Sequence, residues 1–72
     1  MKPPVVGKRY YCWVSRVSWV VGTCTSAKGL FWEFKLERLV EGMSRDWGIG
    51  DVISVRASWV EELREVPFDA EG

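Results

Sequence analysis

Residues 9–21 read RYYCWVSRVSWVV, and apolar side chains occupy both of the alternating positions that an extended chain would give this stretch. The even-numbered apolar residues are Tyr10, Cys12, Val14 and Val20, and the odd-numbered ones are Tyr11, Trp13, Val17, Trp19 and Val21. In a strand, only one of these two faces can cover a single core. The other face must contact something else, or the segment must bend.

A bend is expected, because residues 9–25 would otherwise form one strand of about 17 residues, far longer than the usual five or six. The polar sequence Ser15-Arg16-Val17-Ser18 is the natural place for the break. We therefore predict strands over residues 9–14 and 18–25. The next residues, TSAKG at 25–29, predict a hairpin loop in which Gly29 can adopt a positive φ.

The segment from Leu30 has the clearest two-residue period of the chain. Apolar Trp32, Phe34 and Leu36 alternate with polar Glu33, Lys35 and Glu37. This pattern predicts a half-buried strand to about residue 37. A second interpretation remains open after that point, because Leu36, Leu39, Val40 and Met43 have the spacing of a short amphipathic helix, with Gly42 near its end.

Residues 44–51, SRDWGIGD, predict a loop in which Asp51 tightens a turn. A strand over residues 52–57 follows, with apolar and polar positions alternating. Its inward residues are Ile53, Val55 and Ala57, and its outward residues are Ser54 and Arg56.

The last segment allows two interpretations. Ser58 and Glu61 have the spacing of a capping box, which predicts one or two helical turns starting there, and Pro67 prevents much extension. A final strand over residues 63–66 competes with continuation of that helix.

Together these elements predict a mainly β fold, a small five-stranded barrel with one short helical turn. The segment GIGDVISVRASWVEEL resembles the corresponding part of SH3-like barrels, in which a single helical turn precedes the last strand. The alternative is an α+β fold with a short C-terminal helix on a sheet. Residues 1–72 form one domain, and residues 1–6 and 69–72 are expected to be flexible ends.

The number of aromatic residues is large for a chain of 72 residues, which contains ten of them, five being tryptophan. A domain of this size buries about 60% of the surface of its unfolded chain. Each large ring can bury roughly 150–250 Å². We therefore expect part of the aromatic surface to remain exposed or to lie at an interface.

The formal net charge is zero, which argues against binding by phosphate neutralisation alone. The charges are unevenly distributed: residues 1–38 carry seven basic and two acidic side chains, and residues 39–72 carry three basic and eight acidic ones. In a compact domain these two halves are expected to interleave and largely cancel.

The chain contains no histidine, so the commonest general base and metal ligand is missing. Cys12 and Cys24 have no further cysteine or histidine to complete a zinc site, and we expect both thiols to be reduced and buried. No enzyme activity, metal or cofactor is therefore predicted. The N-terminus lacks the apolar stretch of a secretory signal and no segment is long enough to cross a bilayer, so a cytoplasmic protein is expected.

Two binding functions remain after catalysis is set aside. Tyrosine, tryptophan and arginine dominate protein interfaces, and Tyr10, Arg16 and Trp47 are the best surface candidates. Trp13 and Trp19 are expected in the core. The alternative is a nucleic-acid-binding barrel, in which the basic and aromatic residues at 8–11 and 16–19 form a stacking platform.

The stretch KRYYCWVSRVSWV, at residues 8–20, resembles small phage-encoded regulators that bind the RNA polymerase of their bacterial host. The length of the chain and its tryptophan-rich strands add to this resemblance. The resemblance implies a location in the host cytoplasm, and we expect the protein to be a monomer. It further implies that the largest polymerase subunit is the partner, that initiation is inhibited and that antitermination is promoted. From the residues themselves we expect an edge or aromatic patch to accept a segment of the partner, with Arg9 and Arg16 pairing with its acids. The predicted contact residues are Val5, Val6, Lys8, Arg9, Tyr10, Arg16 and Trp47.

Overall fold

The structure is a computed structural model that describes residues 1–15, 18–39 and 47–66. Five strands and one 3-10 turn make up the fold. They are β1 (Arg9–Val14), β2 (Ser18–Ser26), β3 (Phe31–Leu39), β4 (Val52–Arg56), the 3-10 turn (Ala57–Trp59) and β5 (Val60–Glu65). The prediction of a mainly β fold with one short helical turn is confirmed.

The five strands form one antiparallel sheet in the order β4-β3-β2-β1-β5. With the 3-10 turn between β4 and β5, this is the arrangement predicted from SH3-like barrels. The α+β alternative is wrong, because the chain returns to a strand directly after Trp59. The expected capping box does not form: the residue preceding the turn is Arg56, which makes no capping contact. Val60 instead pairs with Val14 of β1 and is buried, which holds the chain extended.

The break in the long apolar segment is confirmed, because β1 ends at Val14 and β2 begins at Ser18. The two strands form a hairpin whose register runs from Val14 opposite Ser18 to Arg9 opposite Thr23. The second hairpin is also as predicted, although β2 continues through Ser26, and Gly29 has a φ of 64°.

Strand β3 is two residues longer than predicted, because Arg38 and Leu39 continue to pair with Val21 and Val20 of β2. The helical interpretation that began at Leu36 is therefore wrong for residues 36–39. Its remaining positions, at 40–43, lie outside the described residues, as do residues 44–46 of the loop predicted at 44–51. Asp51 does tighten a turn, since its carboxylate accepts the Gly48 N–H at 2.8 Å.

The core lies on one face of a strongly curved sheet. The two edge strands, β4 and β5, would be roughly 19 Å apart in a flat sheet of five strands. Nevertheless, Ile53 and Val55 of β4 belong to the same buried cluster as Val60 of β5. The sheet must therefore curl until its edges approach each other. The middle strands supply the rest of this cluster: Tyr10, Cys12, Val14, Val20, Cys24, Trp32, Phe34 and Leu36.

Candidate functional site

The odd-numbered aromatic residues of the segment 9–21 form a cluster on the outer face of the sheet. Tyr11 and Trp13 project from β1, and Trp19 projects from β2. The rings of Trp13 and Trp19 are stacked, with centroids 5.6 Å apart and an interplanar angle of 25°. The rings of Tyr11 and Trp19 meet edge to face at 4.6 Å. We call these three residues the outer aromatic cluster.

Strand register brings these side chains together. Trp13 lies directly opposite Trp19 in the β1–β2 hairpin, and Tyr11 lies opposite Arg64 of β5. The Arg64 guanidinium carbon is 5.5 Å from the ring centroids of both Tyr11 and Trp19, a cation–π arrangement. Its Nε is 2.9 Å from the Glu62 carboxylate, so this cation is already neutralised on the surface.

The outer aromatic cluster remains accessible to a partner. Trp13 is 43% exposed, and Tyr11 and Trp19 are partly buried. Stacking on Trp19 restricts the Trp13 ring without covering its outer surface. Interface hot spots commonly contain a large aromatic side chain that is held rigid and is partly desolvated before binding. Such a side chain loses little conformational entropy when a partner covers it.

The expectation that Trp13 and Trp19 belong to the core is wrong, and so is the expectation that Tyr10 lies on the surface. Tyr10 is 7% exposed and belongs to the core cluster, where its hydroxyl accepts the Val5 N–H at 2.8 Å. Tyr10 shares its parity with Cys12 and Val14, whereas Trp13 has the opposite parity. That alternation places the two residues on opposite faces of the strand, but it does not determine which face is enclosed.

Arg9 is also buried, at 5% exposure, although it was expected to pair with acids of a partner. Its Nε lies 2.6 Å from a carboxylate oxygen of Glu37, across the sheet on β3. The other oxygen of Glu37 accepts a 2.5 Å hydrogen bond from the Thr23 hydroxyl. The long side chain thus spans β2 on the outer face and is occupied within the fold.

The remaining predicted contact residues do not form one patch. Val5 and Val6 are exposed, and the Lys8 ammonium pairs with Glu65 at 3.3 Å on the surface. Trp47 is partly buried and lines a cleft elsewhere, together with Phe31 and Trp59 but with none of the N-terminal residues. Arg16 lies outside the described residues.

The two thiols are free and buried. Burial raises the pKa of the Cys12 thiol to about 12, and it also raises the pKa of the Cys24 thiol, against a smaller lowering by backbone hydrogen bonding at Ser26. Thiols in this state are poor nucleophiles at neutral pH. Among the described residues, no cluster of three or more cysteine or acidic side chains could hold a metal ion, and no helix is long and apolar enough to span a membrane.

The opposite charges of the two halves of the chain meet in the sheet. Basic β1 and its preceding residues pair with acidic β5, and Lys8 contacts Glu65.

Comparison of the chain with models of known protein families, with curated proteins and with solved structures found no match. The functional argument therefore depends on the chemistry of the surface itself.

Proposed function

We propose that the domain is a non-catalytic protein-binding module whose outer aromatic cluster contacts its partner. The observation that carries this proposal is the exposure of Trp13, at 43%, on a ring stack that the fold already holds in place. A core packing role alone would favour burial of this side chain, the largest of the twenty. An exposed and pre-ordered indole is better suited to insertion into a pocket of another protein.

A protein partner fits this surface better than a nucleic acid. Proteins that bind single-stranded nucleic acid by base stacking combine aromatic rings with a row of basic groups that are not paired with acidic side chains. Here the described cation that contacts the rings, Arg64, is paired with Glu62, and Glu61 of the same strand accepts a hydrogen bond from Ser15. The surroundings of the rings are thus acidic as well as basic, which favours a partner of mixed charge.

The candidate partner is bacterial RNA polymerase, through its largest subunit, and its support is the resemblance of KRYYCWVSRVSWV to phage regulators. In this proposal, the domain is a transcription regulator in the host cytoplasm that displaces the promoter-recognition factor and favours continued elongation. The outer aromatic cluster would supply the main contact. The exposed Val5 and Val6 would add contacts at the N-terminus.

The test uses purified bacterial RNA polymerase, the full chain and two matched variants. Trp13→Ser removes an exposed ring from the cluster, and Leu30→Ser removes an exposed apolar side chain elsewhere. We expect the wild type and Leu30→Ser to bind polymerase and to inhibit promoter-dependent transcription, and Trp13→Ser to lose both activities at least about tenfold, as hot-spot residues do. Circular dichroism checks that both variants are folded.

Equal binding by Trp13→Ser and the wild type would exclude the cluster as the contact. Absence of binding to polymerase would exclude the proposed partner, and capture of a different protein that is lost in Trp13→Ser would retain the module but replace the partner. Recovery of nucleic acid alone, with an affinity that falls steeply as salt is added, would instead support the alternative of a nucleic-acid-binding barrel.

A further inference from the structure

A second surface, the cleft lined by Trp47, has a different chemistry. It has a volume of about 410 Å³. Its lining residues come from β1, β3, β4, the 3-10 turn and residue 47: Val14, Phe31, Trp47, Ser54, Val55, Arg56 and Trp59. Phe31 is 45% exposed and Trp59 is 40% exposed. The volume is sufficient for one or two large apolar side chains of a ligand.

One wall of the cleft is an edge of the sheet. Strand β4 is the terminal strand in the order β4-β3-β2-β1-β5, and no described strand pairs with its outer side. The flanking hydrogen bonds establish which backbone groups point outward. Ala57 donates to the Leu30 carbonyl, and Leu36 donates to the Asp51 carbonyl, each at 2.8 Å.

Antiparallel ladders bond at every second residue. With Asp51 and Ala57 bonded toward β3, the residues that exchange hydrogen bonds with β3 are Ile53 and Val55. The backbone N–H and C=O groups of Ser54 and Arg56 therefore point away from β3, toward the free edge. Both of these residues line the cleft, so the cleft presents unpaired backbone groups beside an aromatic cavity.

Among the described lining residues of the cleft, the one charged side chain is basic. The Arg56 guanidinium lies over the Phe31 ring, 5.2 Å from its centroid, and forms no ion pair with a described residue. No acidic side chain is among the lining residues of the described chain. This arrangement contrasts with Arg64 in the outer aromatic cluster, which is already paired with Glu62. An incoming carboxylate could therefore pair with Arg56.

We propose that this cleft binds an extended acidic segment of a partner protein, which adds as a strand to the free edge of β4. The segment inserts a large apolar side chain between Trp47 and Trp59 and places a carboxylate against Arg56. Backbone pairing along Ser54 and Arg56 contributes affinity, and the cavity and the cation select the side chains. The inference goes beyond the proposed function, because no residue of the outer aromatic cluster lines the cleft.

The probes are capped eight-residue peptides with a central phenylalanine, tryptophan or leucine, flanking valines and two glutamates. A matched set carries glutamine in place of glutamate. Titration against the full chain is followed by nuclear magnetic resonance and by amide hydrogen exchange. We expect binding to slow exchange of the Ser54 and Arg56 amides, whereas the Val55 amide, which bonds to β3, is protected with or without peptide.

Two variants separate backbone pairing from charge. Ser54→Pro removes an outward N–H at an edge position where proline is tolerated, and it should weaken binding at least about tenfold, whereas Ser54→Ala should not. Arg56→Gln should weaken the glutamate peptides about threefold, the size expected of an exposed ion pair, and leave the glutamine peptides unchanged. Trp13→Ser should bind the peptides as the wild type does, which separates this site from the proposed function.

Three results would overturn the inference. The first is absence of binding by every peptide of the panel at millimolar concentration. The second is equal binding by Ser54→Pro and Ser54→Ala, which would exclude strand addition. The third is protection of the Ser54 and Arg56 amides that grows with protein concentration in the absence of peptide, because it would assign the edge to a second copy of this chain.

Discussion

The two adjacent tyrosines of β1 lie on opposite sides of the sheet and have different roles. Tyr10 is inside, where its ring meets Phe34 edge to face with centroids 6.3 Å apart, and its hydroxyl fixes the backbone of Val5. Tyr11 is outside, where it contacts Trp19 and lies beneath the Arg64 guanidinium. The chemistry of the two side chains is the same, and the difference arises from which face the curled sheet encloses.

This comparison shows how a small domain can use aromatic residues on both faces of a strand. The inner face removes its apolar side chains from water and thereby stabilises the fold. The outer face forms ring stacks that are ordered and only partly covered, so part of their surface remains available for a partner. Predictions that compare matched substitutions on the two faces can test this division.

The largest expected effect is that of Phe34→Ala on the inner face. Phe34 is fully buried in the core, and such truncations typically cost about 3–5 kcal/mol of unfolding free energy. A domain of this size has little stability to spare, so the variant should be largely unfolded at 37 °C. Urea denaturation followed by circular dichroism measures the change.

The matched substitution on the outer face is Trp13→Ser. Because Trp13 is 43% exposed, its replacement should lower the unfolding free energy by about 1 kcal/mol, the loss of one ring stack and part of its burial. If Trp13→Ser were as destabilising as Phe34→Ala, the outer aromatic cluster would be a second core rather than a binding surface.

Gly22→Ala tests a point of close approach between β2 and β3, where the register shifts between Val21 and Gly22. A Cβ atom at Gly22 would lie 2.6 Å from the Lys35 carbonyl oxygen, so the strands would have to separate. The expected cost is about 1–3 kcal/mol, measured by thermal unfolding. Gly48→Ala is the control, since its new Cβ would make an ordinary 3.7 Å contact with Asp51. Equal stability of the two variants would contradict the close approach.

Glu37→Gln compares a buried with an exposed ion pair. It removes the Glu37 charge from the buried Arg9 guanidinium, and we expect a loss of about 1–2 kcal/mol, less than for a fully buried pair because Glu37 is partly exposed. Glu65→Gln breaks the surface pair with Lys8 and should cost less than about 0.5 kcal/mol. Equal losses of unfolding free energy in Glu37→Gln and Glu65→Gln, measured in urea, would show that a neutral group can replace the Glu37 carboxylate as the partner of Arg9.

Titration of the Cys12 thiol should leave stability unchanged at pH 7 and lower it in alkaline solution. Burial raises the pKa of its thiol from 9.0 to about 12, so folding favours the neutral thiol. Its contribution is fully present below pH 9 and is lost as the pH rises from about 9 toward 12. The unfolding free energy of the wild type should therefore fall more steeply over this window than that of Cys12→Ala. Identical slopes would mean that the thiol titrates normally in the folded state.

Much of the fold was predictable because it depends on local patterns. The length limit of strands and the polar residues at 15–18 predicted the first hairpin, and the glycine at 29 predicted the second. The C-terminal region was not predictable in the same way, since a capping-box pattern at Ser58 and Glu61 competed with pairing of Val60 against Val14, a contact between residues 46 positions apart. Pairing of β5 with β1 in the folded sheet outweighs the local preference of this segment for a helix.

The candidate site was predicted less well than the fold. The surplus of aromatic surface was predicted from composition and chain length alone, and the exposed rings of Trp13, Phe31 and Trp59 confirm it. The choice of Tyr10 and Arg9 as surface residues was wrong. Both errors involve contacts between strands that are distant in sequence, Tyr10 with Phe34 and Arg9 with Glu37.

The amino-acid sequence by itself determined the strand-rich architecture, the position of the first turn and the fact that two apolar faces alternate along residues 9–21. Only the tertiary structure decided which of the two faces is enclosed, and hence which rings stay accessible. The physical reason is that alternation is a property of the extended chain, whereas burial depends on the direction in which the whole sheet curls.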